Sequence, residues 1–343
     1  MKGLKDIAQA TGFSIITVSR AVNNPEKLKP ETRKCIQETM EMMDYVPNRA
    51  AKNLAAKRTG IIDVYIPEYI DINNPFMMHF IVGVSEVLSE YMYSFLIKRS
   101  WKKNHNCDGY LVTGLCTNEI EDFYARAQAQ NLPVVLFGHT DIEGVDWFDV
   151  DNVKGAEDAI NFLLENKHTK IAMINSGEDK DFTIDRFKGY TNALGRAGIT
   201  PDPRFILKAP NTLIGGKNAI RRLLAEGDFS AVFCATDPLA VGAISGITES
   251  GLKVPGDISV IGFDGLGVQF LADPHITTIR QPVVETGRVL AGMLVDRING
   301  STRRVTGFMP PELLPGFSVA VKKTGLAKRR GTHVVSGRYN AEK

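Results

Sequence analysis

From Leu4 to Met43 the apolar positions recur three and four residues apart and never alternate, so this stretch reads as helices without strands. Leu4, Ile7 and Ala8 share one face of a short helix ending near Thr11, and Gly12 breaks the period. Ser14 is a good N-cap for a second helix running to about Asn23. Asn24-Pro25 marks a turn. Pro30 suits the first position of a third helix, which carries Cys35, Ile36, Met40 and Met43 at helical spacing. Asp44-Tyr45-Val46-Pro47 ends it.

The texture changes at Ile61. Short apolar runs now alternate with helical segments: 61–66 (run), 80–91 (helix), 110–112 (run), 119–129 (helix), 134–137 (run), then 156–165 (helix), 171–175 (run), 186–197 and 216–225 (helices), 231–235 (run), 239–250 (helix) and 259–263 (run). Alternation of this length predicts parallel sheets with helices on both faces. About 260 residues of it exceed one such sheet, so two lobes with a ligand cleft between them are expected. Leu326 to Lys343 lacks any apolar period and reads as a loose tail.

Charge sharpens this division. Residues 1–60 carry 11 Lys/Arg against 6 Asp/Glu, residues 61–321 carry 23 against 32, and residues 322–343 carry 7 against 1. A basic head on an acidic body predicts that the head meets a polyanion and the body does not. No apolar run approaches the ~18 residues that span a membrane, and Met1–Ala10 lacks the apolar core of an export signal. Cys35, Cys107, Cys116 and Cys234 lie far apart without a CxxC pair, which fits free thiols in a reducing cytoplasm.

The head has the parts of two helices crossing at a tight turn. Ala8 is small where the helices approach, Gly12 can take positive φ at the turn, and Val18 anchors the second helix. Capped by Ser14, the second helix presents Ile15, Ile16, Thr17, Ser19 and Arg20. Arg20 can pair with guanine O6 and N7, and the two isoleucines can press on thymine methyl groups. Thr17, Ser19 and Asn23 suit phosphate contacts. One helix in one groove reads few bases. A two-fold dimer doubles the contacts and demands a near-palindromic site.

The run Leu4-Lys-Asp-Ile-Ala-Gln-Ala-Thr-Gly-Phe-Ser14, then Thr17-Val-Ser-Arg-Ala-Val-Asn23, closely resembles the lac repressor (LacI/GalR) family. So does Tyr45-Val-Pro-Asn-Arg-Ala-Ala-Lys-Asn-Leu-Ala-Ala-Lys-Arg-Thr-Gly60, and the resemblance covers about residues 3–322. It implies a fold in two parts: an N-terminal all-α helix-turn-helix domain (1–46) and an α/β periplasmic-binding-protein-like body of two doubly wound parallel-sheet lobes. A hinge helix or linker (47–60) joins them. The body (61–322) would bind effector and dimerise, with one lobe at about 61–152 and 283–308 and the other at about 153–282 and 309–322. A basic, disordered tail (323–343) follows. The alanine-rich hinge is too short to be a stable helix alone, so DNA can order it. By resemblance, hinges from two protomers meet in the minor groove with Leu54 as the wedge, and Tyr45 and Asn48 contact the backbone. With Thr32 and Lys52 these complete the residues expected on double-stranded operator DNA.

In the body, polar residues just after strands are the candidates for a ligand cleft: Asn73-Asn74-Pro75-Phe76, Asp151-Asn152, Asp237 and Asp264. The resemblance makes Arg186, in Asp185-Arg-Phe-Lys-Gly-Tyr190, the first effector contact. Asp264 and Gln281 follow, then Thr236 and Asp237, with Phe76 as a stacking residue. Asp237 precedes Pro238 and a helix, so a capping role competes with a ligand role. The effector expected is a small sugar or sugar derivative. It would change the lobes' relative angle in a homodimer and so favour or disfavour hinge order.

Three features depart from the family. Gly138-His139 stands where members often carry Arg or Asp, and a lone solvated histidine is expected there. Lys29 stands where relatives often cap the third helix with Ser. Residues 98–107 replace a whole helix between two strands, which predicts a partly uncovered sheet face plugged by Trp101 and a weakened lobe. GxGxxG after the first strand, G-x4-G-K-[ST], HExxH and GxSxG are all missing, so no catalytic residue, cofactor or metal is expected and the chain does not read as an enzyme. The competing function is a solute-binding protein that delivers sugar to a transporter. Residues 1–60 disfavour it.

Overall fold

The computed structural model describes residues 3–23 (Asn23 by its backbone alone), 25–45, 53, 58–101 and 105–322. Asn48, Lys52, Leu54, most of the hinge and the 323–343 tail lie outside the described residues. Contacts divide the chain into two compact units. Unit 1 is Met1–Val150 with Pro282–Met309, and unit 2 is Asp151–Gln281 with Pro310–Lys343.

The head forms α1 (Leu4–Thr11), α2 (Ile15–Asn23) and α3 (Pro30–Met42). Ile7, Ala8, Val18, Ala21 and Ile36 make its core, flanked by Leu4, Phe13, Leu28, Met40, Met43 and Tyr45. Gly12 takes the left-handed φ of 71° that the turn requires. The Ser14 hydroxyl accepts from the Thr17 amide at 3.1 Å and caps α2. Lys29 precedes α3 without a side-chain cap, and Pro30 fills the first position.

The body of unit 1 contains β1 (Ile61–Tyr65), α4 (Pro75–Glu90), β2 (Ser94–Lys98), β3 (Tyr110–Thr113), α5 (Ile120–Gln128), β4 (Val134–Phe137) and β5 (Asp146–Val150). Unit 2 contains α6 (Asn152–Glu165), β6 (Ile171–Ser176), α7 (Asp181–Arg196), β7 (Ile206–Ala209), α8 (Leu213–Glu226), β8 (Ala231–Cys234), α9 (Asp237–Glu249), β9 (Ser259–Asp264) and β10 (Thr277–Arg280). The chain then returns to unit 1 with α10 (Val283–Ile298) and β11 (Thr306–Met309) and ends with β12 (Glu312–Leu314) in unit 2. The first sheet has the order β11-β5-β4-β3-β1-β2 and the second β12-β10-β9-β8-β6-β7. All neighbours are parallel except β10 and β12. The expected doubly wound lobes are thus present. Two helices begin several residues before the expected spans 80–91 and 156–165, each behind a side-chain cap: Asn74 caps α4 and Asp151 caps α6.

Between β2 and β3 there is no helix among the described residues. Trp101 covers the sheet there, with its ring 4.7 Å from Phe123, 5.5 Å from Tyr110 and 5.6 Å from Tyr65. Beneath it Lys98 lies 3.5 Å from the fully buried Asp63, which also takes His105 Nε2 at 2.6 Å. On edge strand β2, Leu96 shares a face with Asp63 and Lys98 and stays 45% exposed, the uncovered surface that a short crossover predicts. Cys35, Cys107, Cys116 and Cys234 are free thiols. No helix among the described residues is long and apolar enough to cross a membrane.

Candidate functional site

Two constellations matter, one in the head and one in unit 2. On α2, Val18 and Ala21 turn inward while Ile15 and Ile16 are 45% and 65% exposed and Arg20 is exposed beside them. Exposed isoleucines on a helix whose opposite face is fully buried are costly in water, and a groove edge would cover them. Neither isoleucine belongs to the head's core. Thr17, Ser19 and Thr32 are half-buried, and the Ser14 and Thr17 hydroxyls pair at 2.9 Å. Tyr45 packs against the head's core, so its ring has a structural duty besides any contact to DNA.

In unit 2 the carboxyl ends of β6, β8 and β9 carry the second constellation. Arg186, on the second turn of α7, is 2% exposed. Its Nε donates to Asn152 Oδ1 at 2.9 Å, and one terminal nitrogen donates to the Ala235 carbonyl and reaches Asp264 Oδ1 at 3.3 Å. The guanidinium lies 3.6 Å from the Phe263 ring centre and 4.8 Å from that of Phe182, so aromatic faces replace water around it. Asp264 Oδ1 also accepts from Gln281 Nε2 at 2.7 Å. Asp264 ends β9 with φ of 134°, a conformation that costs roughly 1–3 kcal/mol in a non-glycine residue and persists only where the surroundings hold it. Gly265 follows with φ of 63°.

Asp237 is turned inward and fully buried. Its Oδ1 accepts from Thr278 Oγ1 at 2.6 Å and its Oδ2 from the Gly265 amide at 2.9 Å. Both oxygens brace the sheet against the start of α9, the structural role that competes with the ligand contact expected of the residue. Burial, reinforced by the neighbouring Asp264 carboxylate, raises its pKa above the ordinary carboxylate range. Burial also raises Asp264, and Arg186 opposes that rise. Thr236 is buried too, and its hydroxyl donates to Asn211 Oδ1 at 2.6 Å. Arg186, Asp264 and Gln281 are thus joined in one hydrogen-bonded group, with Thr236 and Asp237 buried beside it.

Phe76 belongs to unit 1, at the start of α4, and packs on Phe137 at 4.9 Å. His139 is paired with Asp149 at 3.1 Å and packs on Trp147 and Phe308, which corrects the expected lone solvated histidine. Asn152 is among the strand-end candidates but not among the named effector contacts, and Phe182 and Asn211 are absent from both. Phe182 lies a turn before Arg186 in a stretch with no such strand-end mark.

Comparison with known proteins agrees with this geometry. Residues 3–48 match the family described as bacterial regulatory proteins, lacI family, and residues 160–319 match the periplasmic binding protein-like domain. The chain is 32% identical over 317 residues to the HTH-type transcriptional regulator YvdE of Bacillus subtilis, covering 92% of this chain and 98% of that one. It resembles the transcriptional regulator CelR in its cellobiose complex, with a TM-score of 0.70 and 29% identity over 93% of this chain and all of that one. It shares its fold with the lac repressor dimer bound to operator and an anti-inducer, with a TM-score of 0.72 and 22% identity over 93% and 99% of the two chains. A helix-turn-helix head ahead of two parallel-sheet lobes, together with these similarities, places the chain in the LacI family of bacterial regulatory proteins.

Proposed function

We propose that this regulator binds a near-palindromic operator as a homodimer in the cytoplasm and is switched by a small sugar-like effector. In the head, Ser14, Ile15, Ile16, Thr17, Ser19, Arg20, Asn23, Thr32 and Tyr45 meet DNA, joined by Asn48, Lys52 and the wedge residue Leu54 of the hinge. In unit 2, Arg186, Asp264 and Gln281 meet the effector, while Thr236 and Asp237 hold that surface in shape.

The observation that carries this reading is the Arg186–Asp264–Gln281 group. Guanidinium, carboxylate and amide converge beside aromatic rings at the carboxyl ends of parallel strands. Such planar groups take paired hydroxyls, and the rings take the apolar face of a sugar. The cellobiose held by CelR supports the same chemistry. Effector occupancy then changes the free energy of ordering the hinge, a coupling of roughly 1–3 kcal/mol in such systems. The alternative, a solute-binding protein that delivers sugar to a transporter, leaves the capped, basic head without a purpose.

Operator selection from random DNA with purified protein tests the reading. A recovered near-palindrome whose affinity changes on addition of one sugar from a panel headed by cellobiose is expected. Failure to enrich any sequence would remove the DNA-binding half, and indifference to every sugar would remove the effector half.

A further inference from the structure

In unit 1 the strand order places β1 beside β3, with β2 outside β1 and β4 outside β3. Crossovers therefore leave β1 and β3 in opposite directions. The crevice outside their carboxyl ends is the switch point at which open α/β sheets bind ligands. The loop after β1, residues 67–72, lies at this crevice and carries Tyr69.

Tyr69 is 55% exposed and held from two sides. Its hydroxyl donates to the Glu119 carboxylate, with the Gly114 carbonyl at 3.2 Å and Cys116 Sγ at 3.6 Å, so it ties the β1 loop to the β3 loop. Glu119 is fixed in turn by the Cys116 amide at 2.8 Å. The backbone is clamped by Arg99, one nitrogen of which donates to the Glu68 carbonyl at 2.8 Å and the Ile70 carbonyl at 2.6 Å, the two carbonyls flanking Tyr69. Gly114 has φ of 79°, and a Cβ there would sit 3.0 Å from the Ile70 side chain, so the two loops pack too closely for a larger residue.

An exposed aromatic side chain normally loses rotamer freedom when it binds. One already fixed at its hydroxyl and its backbone has little left to lose. Phe76, by contrast, is committed to Phe137 and Phe80. We infer that Tyr69 is the stacking platform of unit 1 for the apolar face of a sugar ring, and that Arg99, supplied by the short crossover, is its positioning residue. This rests on the reading of the chain as a sugar-responsive regulator. It gives the short crossover a use: its first residue after β2 builds the ligand end of the sheet.

Calorimetry of the full-length protein with a panel including cellobiose and ribose tests it, on wild type and on Tyr69→Ala, Tyr69→Phe, Arg99→Ala and Arg186→Ala. Tyr69→Ala should weaken the sugar that binds by about tenfold, the order of a lost aromatic contact. Tyr69→Phe keeps the ring and should stay within about threefold of wild type, and Arg99→Ala should fall between them. Operator affinity without sugar should be unchanged in all three, and the thermal midpoint unchanged in the two Tyr69 variants, because the ring is exposed and its truncation leaves no core cavity. Arg99→Ala, which frees two backbone carbonyls, should lower the midpoint slightly. Binding that Arg186→Ala abolishes but Tyr69→Ala leaves intact would overturn the platform alone. A wild-type protein that binds no sugar would overturn the sugar reading and the platform with it.

Discussion

The two units wind alike, β2-β1-β3-β4-β5 in the first and β7-β6-β8-β9-β10 in the second, but they bridge the second crossover differently. In unit 2 the connection from β7 to β8 is α8, whose Ala219, Ile220 and Leu223 are buried against the sheet. In unit 1 the corresponding connection has no helix among the described residues, and its duties fall to single side chains. Trp101 supplies apolar cover, while Lys98 and His105 meet the carboxylate of Asp63. A parallel crossover thus needs covered surface and a compensated buried charge more than it needs a helix. The cost of this solution is visible in Leu96, left exposed on the same sheet face, and in a buried charge that depends on few partners.

The largest effect should come from breaking that charge pair. Lys98→Met leaves Asp63 buried with His105 as its remaining partner and should destabilise unit 1 by about 3–5 kcal/mol. Adding Asp63→Leu should recover most of the loss, since an apolar replacement no longer needs a partner. Urea unfolding reads both, and a single variant as stable as wild type would show that the aromatic cover alone holds the crossover. Next, Trp101→Ala in unit 1 and Leu223→Ala in α8 should each cost about 3 kcal/mol, because both remove the main cover of their crossover. A Trp101 loss under about 1 kcal/mol would end the equivalence of the two solutions.

Limited proteolysis sharpens the comparison without mutation. Cleavage within residues 98–107 should precede cleavage within α8 by at least about tenfold in rate, since a loop opens locally at lower cost than a packed helix. Equal rates would show that the loop is as well held as the helix.

The smallest effect concerns pH and unit 2 alone. His168 Nε2 donates to the Ala320 carbonyl at 2.9 Å and its Nδ1 accepts from Ser230 at 3.0 Å, stitching the chain's return to the sheet. Burial holds its pKa below the ordinary 6.5, with Lys322 adding to the depression and the Ala320 carbonyl opposing it. The unfolded chain therefore binds the proton more readily than the folded one. The stabilisation is complete above pH 6.5 and is lost as pH falls through the folded value. Melting curves of unit 2 should decline below that pH, and a His168→Gln variant should decline less.

Much of this organisation is legible in the sequence because it is periodic. Helical spacing, Ser14, Gly12 and Pro30 mark the head, and alternating apolar runs mark the sheets. The short crossover is legible as a missing period, and Trp101 as its plug. Less legible are contacts that join distant segments. Arg186 is marked by its motif, but nothing local tells that Phe263 and Phe182 flank it, or that Asp237 faces Thr278 forty-one residues on. Asp237 was a candidate because it follows a strand, and the same position lets it brace the sheet. Tyr69 carries no signal at all in one dimension. Its anchor residues, Arg99, Gly114 and Glu119, come together only through the strand order.

The most direct test of the central claim is operator affinity measured with and without saturating effector, in wild type and in Arg186→Ala. The account predicts an effector-dependent change of at least about fivefold in wild type, the lower end of allosteric coupling, and none in the variant, with equal effector-free affinities. An Arg186→Ala protein that still responds to effector as wild type does would contradict the assignment of the switch to this site.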